Sequence, residues 1–198
     1  KEKEKEKEKE KEKEKEKEQN DELLWEASIN SYQFWAKQYK QPYDVSQVLG
    51  QDNIREFKHY KRCLIRVDEE SNEYEIIRVV VAAVLCGCMV DISVSKPHPN
   101  LQKILSHSFF KSCRYCLETE EAIIHKINTN KVQRIRQINN PHIDVLNAAN
   151  EKGVHCAVGP VRSSGRIECL NYMYEFVFSD DYHRYGHLGE REGEVRQE

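Results

Sequence analysis

Hydrophobic and polar positions divide the chain into a repeating series of short elements. Leu23, Leu24, Ala27, Ile29, Phe34 and Trp35 recur at helical spacing behind Asp21, a suitable N-cap, which predicts a helix over residues 22–39 that stops before Pro42. A turn-rich stretch with Asp44, Ser46, Gly50, Asp52 and Asn53 follows. Cys63-Leu64-Ile65-Arg66-Val67, bounded by charges, predicts a strand. Residues 74–85 predict a helix closed by Gly87, and residues 89–95 alternate as a strand until Lys96-Pro97. Two strands joined through a helix by short connections pair in parallel.

The alternation continues with a short helix over residues 101–105, an edge strand over 113–117, a helix over 120–127 and a strand over 132–138. Pro141 then opens a helix that Gly153 ends, and residues 155–158 form the next strand. This order predicts an α/β fold, an open, mainly parallel, Rossmann-like sheet covered by helices. Beyond Gly165 the character shifts. Residues 167–178 read as two strand-like halves, a strand or hairpin arm, and residues 180–189 as an extended peptide. The expected division is a tail over 1–20, an α/β domain over 21–165, and an arm with a terminal motif over 166–198.

Composition changes this picture mainly at the start. Residues 1–18 are nine Lys-Glu pairs, which hold nine of the 31 basic and nine of the 34 acidic residues, so 22 and 25 remain in the other 180. Such a run has nothing to bury and is expected to be a disordered, solvated tail. The remainder fits one domain. Near-neutral charge with no basic block predicts no nucleic-acid partner. No apolar run approaches the ~18 residues of a membrane span, and the start has no apolar core of a signal peptide. The seven cysteines, at 63, 86, 88, 113, 116, 156 and 169, sit mostly in apolar runs and are odd in number, which predicts a reduced, cytoplasmic chain.

The candidate chemistry is sparse. Cys113-x-x-Cys116 with His107 and His125 has the ligand types of a zinc site, but the histidine spacing is wrong for a zinc finger and the two thiols of an alternating strand face opposite sides. Cys86 and Cys88 flank a helix C-terminus, whose field opposes a thiolate nucleophile. No glycine-rich phosphate cradle is present. Gly159-Pro160 and Ser163-Ser164-Gly165 read as loop, and Asp180-Asp181 with His183 as solvated groups rather than acid and base. The sequence predicts no catalytic, cofactor-binding or metal-binding residue.

Ser31-Tyr32 with Trp35, Gly50 to Arg55, Leu64 to Val67, Ala82-Ala83 with Gly87, Arg134 to Arg136, Gly165 to Tyr172 and Ser179 to Gly189 follow one another in an order that resembles the C-terminal region of the bifunctional proline utilization A family. These proteins join proline dehydrogenase to L-glutamate γ-semialdehyde (1-pyrroline-5-carboxylate) dehydrogenase. The resemblance covers about residues 23–191 and is most specific at Tyr182-His183-Arg184-Tyr185-Gly186-His187-Leu188. It implies an aldehyde-dehydrogenase-superfamily domain without a complete active site, an arm, and a terminal motif that helps close an internal tunnel for the semialdehyde. By this resemblance Asp180, Tyr182, His183, Arg184, Tyr185, Gly186 and Leu188 dock or seal; the partners are the catalytic domains of a parent enzyme, and NAD and FAD belong to that parent. The arm also suits homo-oligomer formation. Three departures accompany the match. Ser93 falls where the family's nucleotide-contacting Lys would be, with Lys96-Pro97 three residues late; no cysteine stands in a Gly-Gln-x-Cys context; and Glu175-Phe176 replaces the expected Glu-Gln. The alternatives are a free-standing NAD-binding aldehyde-dehydrogenase-type protein and a plain oligomerisation module.

Overall fold

The computed structural model describes residues 20, 22–48, 50–68 and 71–182, apart from the side chains of 99 and 100. The predicted Lys-Glu tail therefore lies outside the described residues.

Helix α1 (residues 22–38) leads into a short strand, β1 (Tyr43–Asp44), and a long one, β2 (Gln51–His59). A βα series follows: β3 (Arg62–Val67), α2 (Glu73–Cys86), β4 (Met89–Val94), α3 (Pro99–Leu105), β5 (Cys113–Leu117), α4 (Glu120–Asn128), β6 (Arg134–Gln137), α5 (Ile143–Glu151) and β7 (His155–Val158). These strands form a five-stranded sheet in the order β5-β4-β3-β6-β7, with every neighbouring pair parallel. The expected open parallel α/β sheet is present, with β5 at its edge.

Local chemistry sets the element boundaries. Asn72 caps α2 by accepting the Tyr74 amide at 2.9 Å, and Gly87 ends it at φ 104°, a left-handed conformation that favours glycine. Alternation then sends Cys63, Ile65, Val67, Val90, Ile92 and Val94 to one face, against α1, α2 and α3. Leu64 and Ile135 meet α4 and α5 on the other. That second face turns polar under β4 and β5. Asp91 is held by Arg114 through two 2.8 Å bonds and by Lys126 at 3.3 Å, and the Ser93 Oγ accepts from Arg66 at 3.0 Å. Asp91, Ser93 and Arg66 are buried with hydrogen-bond partners, the form in which burial of charge is tolerated, while Arg114 reaches Asp91 from the exposed side.

Two expectations fail beyond the parallel sheet. Residues 51–53, expected within a turn-rich stretch, open β2. The first half of the expected arm is helical, with α6 (Gly165–Glu168) followed by a 3-10 segment (Cys169–Tyr172), and only then comes β8 (Met173–Asp181). The apolar run from Ile167 to Tyr172 suggested a strand, but it buries Glu168, Cys169 and Tyr172 on one side of a helical turn. β8 pairs antiparallel with β2 along its whole length, from Gln51 opposite Asp181 to His59 opposite Met173, giving a separate sheet in the order β1-β2-β8.

Candidate functional site

In a doubly wound sheet, ligands settle beyond the carboxyl ends of the strands, where the strand order reverses. Here the reversal lies between β3 and β6. A cavity of about 750 Å³ opens there, lined by Asp68, Ser95, Ile138, Asn139, Asn140, Val158, Gly159 and Pro160. The Asp68 carboxylate accepts from Asn139 Nδ2 at 2.9 and 2.8 Å and from Ser71 Oγ at 2.7 Å, so it fastens the two lips of the crevice together.

This crevice does not fit the pyrophosphate of a dinucleotide. Such a group needs glycine for close backbone approach and a helix N-terminus with unused positive potential. The connection from β3 to α2 reads Asp68-Glu69-Glu70-Ser71-Asn72-Glu73, without glycine. Glu73 and Glu75 already supply the first turn of α2 with negative charge. Position 93 has a different lesson. Ser93 is fully buried inside β4, whereas Lys96-Pro97 lies just past the end of that strand.

Cys63, Cys86 and Cys113 are held away from the thiolate form that a nucleophile needs. A thiol hydrogen bond to Cys169, then burial, pushes Cys86 far above the usual range, and Cys88 and burial do the same to Cys63. Cys113 is pushed up to about 11 by burial. Cys113 packs against the helices of the first face, whereas Cys116 lies among Lys126, Glu118 and Asp91. His107 caps the 3-10 turn at Ser108–Phe110 by accepting the Phe109 amide. No group of three metal-ligating side chains gathers among the described residues.

The predicted docking motif is only partly within view. Asp180 stands in β8 opposite Asp52. Tyr182 locks the end of that strand: its amide donates to the Gly50 carbonyl at 3.0 Å and its Oη accepts from the Gly50 amide at 3.0 Å. Gly50 takes φ 88° to make this approach. His183, Arg184, Tyr185, Gly186 and Leu188 lie outside the described residues.

β8 itself is the outer strand of the ribbon, and Phe176, Val177 and Phe178 are 40%, 54% and 53% exposed. A nine-residue edge strand with an exposed aromatic centre is a template for pairing with another chain. A buried cluster that sequence reasoning missed holds the base of the ribbon. Arg136, 2% exposed in β6, donates to Glu168 Oε1 at 3.0 Å and to the carbonyls of Gln137 and Gly159 at 2.7 Å each. Tyr172 Oη donates to the same Glu168 oxygen at 2.9 Å, and the Arg162 amide to the other at 2.9 Å. Burial, then the adjacent Glu168, holds the Tyr172 hydroxyl well above its ordinary pKa, so it remains a donor. An arginine inside a short strand was the available signal; its partner stands 32 positions away.

No protein-family model and no curated protein matches the chain. Solved structures do. Proline utilization A from Corynebacterium freiburgense aligns over 82% of this chain and 14% of its own, with a TM-score of 0.52 and 16% identity. A protein described as a methylmalonate-semialdehyde dehydrogenase of Sinorhizobium meliloti, solved with NAD, aligns over 66% of this chain and 28% of its own (TM-score 0.54, 10% identity). A third, described as the aldehyde dehydrogenase PutA of Anabaena variabilis, covers 70% and 31% (TM-score 0.53, 14% identity). The chain has an aldehyde-dehydrogenase-type fold. It spans less than a third of the length of each of these proteins.

Proposed function

We propose that the chain is the C-terminal, non-catalytic part of a bifunctional proline dehydrogenase and L-glutamate γ-semialdehyde dehydrogenase, where it covers the internal tunnel and supports assembly. The observation that carries this reading is the β2-β8 ribbon, an exposed aromatic edge rooted on the Arg136-Glu168-Tyr172 cluster and tied down at its far end by Tyr182. The fold likeness to proline utilization A over 82% of the chain supports it. Raised thiol pKa values and the acidic switch-point crevice support a role without bond-making in this chain.

In this role residues 166–198 are the arm and terminal motif, with Asp180, Tyr182, His183, Arg184, Tyr185, Gly186 and Leu188 as docking residues. The mechanism is containment: a lid that excludes water and blocks escape keeps a reactive aldehyde beside the second active site. β8 adds its open edge to a neighbour, either the catalytic part of the parent or a second copy. The NAD and FAD of such a parent are held by its other domains. The seven cysteines are all free thiols, which suits a cytoplasmic setting. Among the described residues no helix is long and apolar enough to cross a membrane. Deleting residues 180–198 from the parent is expected to lower coupled turnover of proline more than turnover of added semialdehyde; equal losses would count against the lid.

One observation favours a second reading, an NAD site in this chain: Lys96 lies just beyond β4, at the ligand-binding end of the sheet. Calorimetric titration of the chain with millimolar NAD separates the two, since saturable heat abolished by Lys96→Ala would establish the cofactor site.

A further inference from the structure

The amino end of the same sheet holds the largest groove among those described, about 950 Å³, in the corner between the strands and the ribbon. This is within the ~300–1,000 Å³ typical of small-ligand sites. Its lining is rich in donors. Lys40, Lys58, Lys61 and His59 line it together with Gln133, and Glu56 is the one carboxylate. Glu56 is taken up by Lys58 at 3.0 Å, and that ammonium also sits 3.7 Å from the Phe176 ring centre. Lys61 therefore has no ion pair among the described residues, and Lys40 makes one bond, to the Leu85 carbonyl at 3.2 Å.

Gln133 is oriented by its neighbours. Its Oε1 accepts the backbone amides of Lys61 and Arg62 at 2.8 and 3.2 Å, which leaves both Nε2 hydrogens for a ligand. The walls are aromatic. Tyr60 and Tyr174 pack on each other, ring centres 5.2 Å apart and planes tilted by 53°, and the Arg134 guanidinium lies 5.3 Å from the Tyr60 ring, adding positive charge.

We propose that this groove binds a small phosphorylated ring compound, such as a nucleoside monophosphate, with Lys40, Lys61 and Gln133 on the phosphate and Tyr60 and Tyr174 against the ring. Two ammonium groups and an amide suit the three oxygens of a phosphate better than the two of a carboxylate. The packed pair offers one aromatic surface against which a planar ring can stack. The site is independent of the tunnel-lid reading.

The test is calorimetric titration of the full chain with AMP, adenosine and inorganic phosphate at low ionic strength. AMP should bind saturably at one site, and adenosine and phosphate each roughly tenfold or more weaker, the loss expected for one charge-assisted contact set or one stacked ring. Lys61→Glu, at an exposed side chain, should weaken AMP at least ~10-fold with an unchanged urea midpoint. Tyr174→Ala should weaken AMP but not phosphate. No saturable binding at millimolar AMP, retained affinity in Lys61→Glu, or loss of affinity in Lys96→Glu instead would overturn the proposal. So would tighter binding of polyglutamate than of AMP, which would make the groove a protein-docking surface.

Discussion

The two ends of the parallel sheet differ in charge and in construction. At the carboxyl end, where the fold class places its ligands, the connection after β3 is acidic and the crevice is closed across by Asp68 and Asn139. At the amino end, Lys61, Arg62, Lys131, Arg134 and Lys152 precede or open strands, and the groove beside them has aromatic walls. The backbone path fixes where a crevice forms, whereas the loop residues decide what it will accept. A net charge of -3 conceals this difference, in which acidic residues follow β3 at one end and basic residues precede β3, β6 and β7 at the other, with Lys96 an exception at the carboxyl end.

The largest perturbation should come from uncoupling the two ends. The Arg136-Glu168-Tyr172 cluster grips Gly159 at the carboxyl end, while the Tyr172 carbonyl accepts the Tyr60 amide at 3.1 Å at the amino end. Glu168→Gln leaves a buried guanidinium without its counter-charge, and a loss of ~3–5 kcal/mol is expected in urea unfolding. Gly165→Ala tests the same joint from the other side. An added Cβ would lie 2.4 Å from the Ser31 carbonyl oxygen, so α1 and α6 must separate, at ~1–3 kcal/mol in the same assay.

Smaller effects separate the ends from each other. Glu73→Gln with Glu75→Gln should cost α2 ~0.3–1 kcal/mol per charge through its dipole, and should leave the amino-end groove untouched as read by AMP titration. The smallest signal is a titration. Burial, then the charge of Arg134, holds the His155 pKa below 6.5. Below pH 6.5 the unfolded chain therefore binds a proton that the folded chain resists, and this share of stability is lost as pH falls through the lowered folded value. His155→Gln should remove that part of the acid dependence, and Arg134→Gln should raise the His155 pKa seen by NMR. An unchanged His155 pKa in Arg134→Gln would show that the amino end has no such field.

The βα series was legible because each element carries its own period and punctuation: Asn72 and Gly87 around α2, alternating strands, and Gly153 at φ 66° after α5. The second sheet was not. β2 reads QDNIREFKH, a half-polar segment whose only local partner is the two-residue β1 and whose full-length partner begins more than a hundred residues later, so little nearby marks it as a strand. The segment Ile167 to Tyr172 misled in the opposite way, since its apolar residues suit either state and tertiary burial decided for a helical turn. The opposed charges were present in the sequence, but they acquire meaning only once topology assigns each loop to an end of the sheet. The Asp180 to Leu188 motif was legible as a motif, and what the described part adds is the Tyr182 clasp on Gly50.

The pairing of β2 with β8 also has a consequence for biosynthesis. Strand β2 leaves the ribosome well before Met173–Asp181 is made, and at ~5–20 residues per second the interval is roughly 6–25 s. Through that time the hydrogen-bonding edge that will face β8 is open to any extended segment nearby. A nascent chain stalled before residue 173 keeps that edge open to pairing with a neighbouring chain.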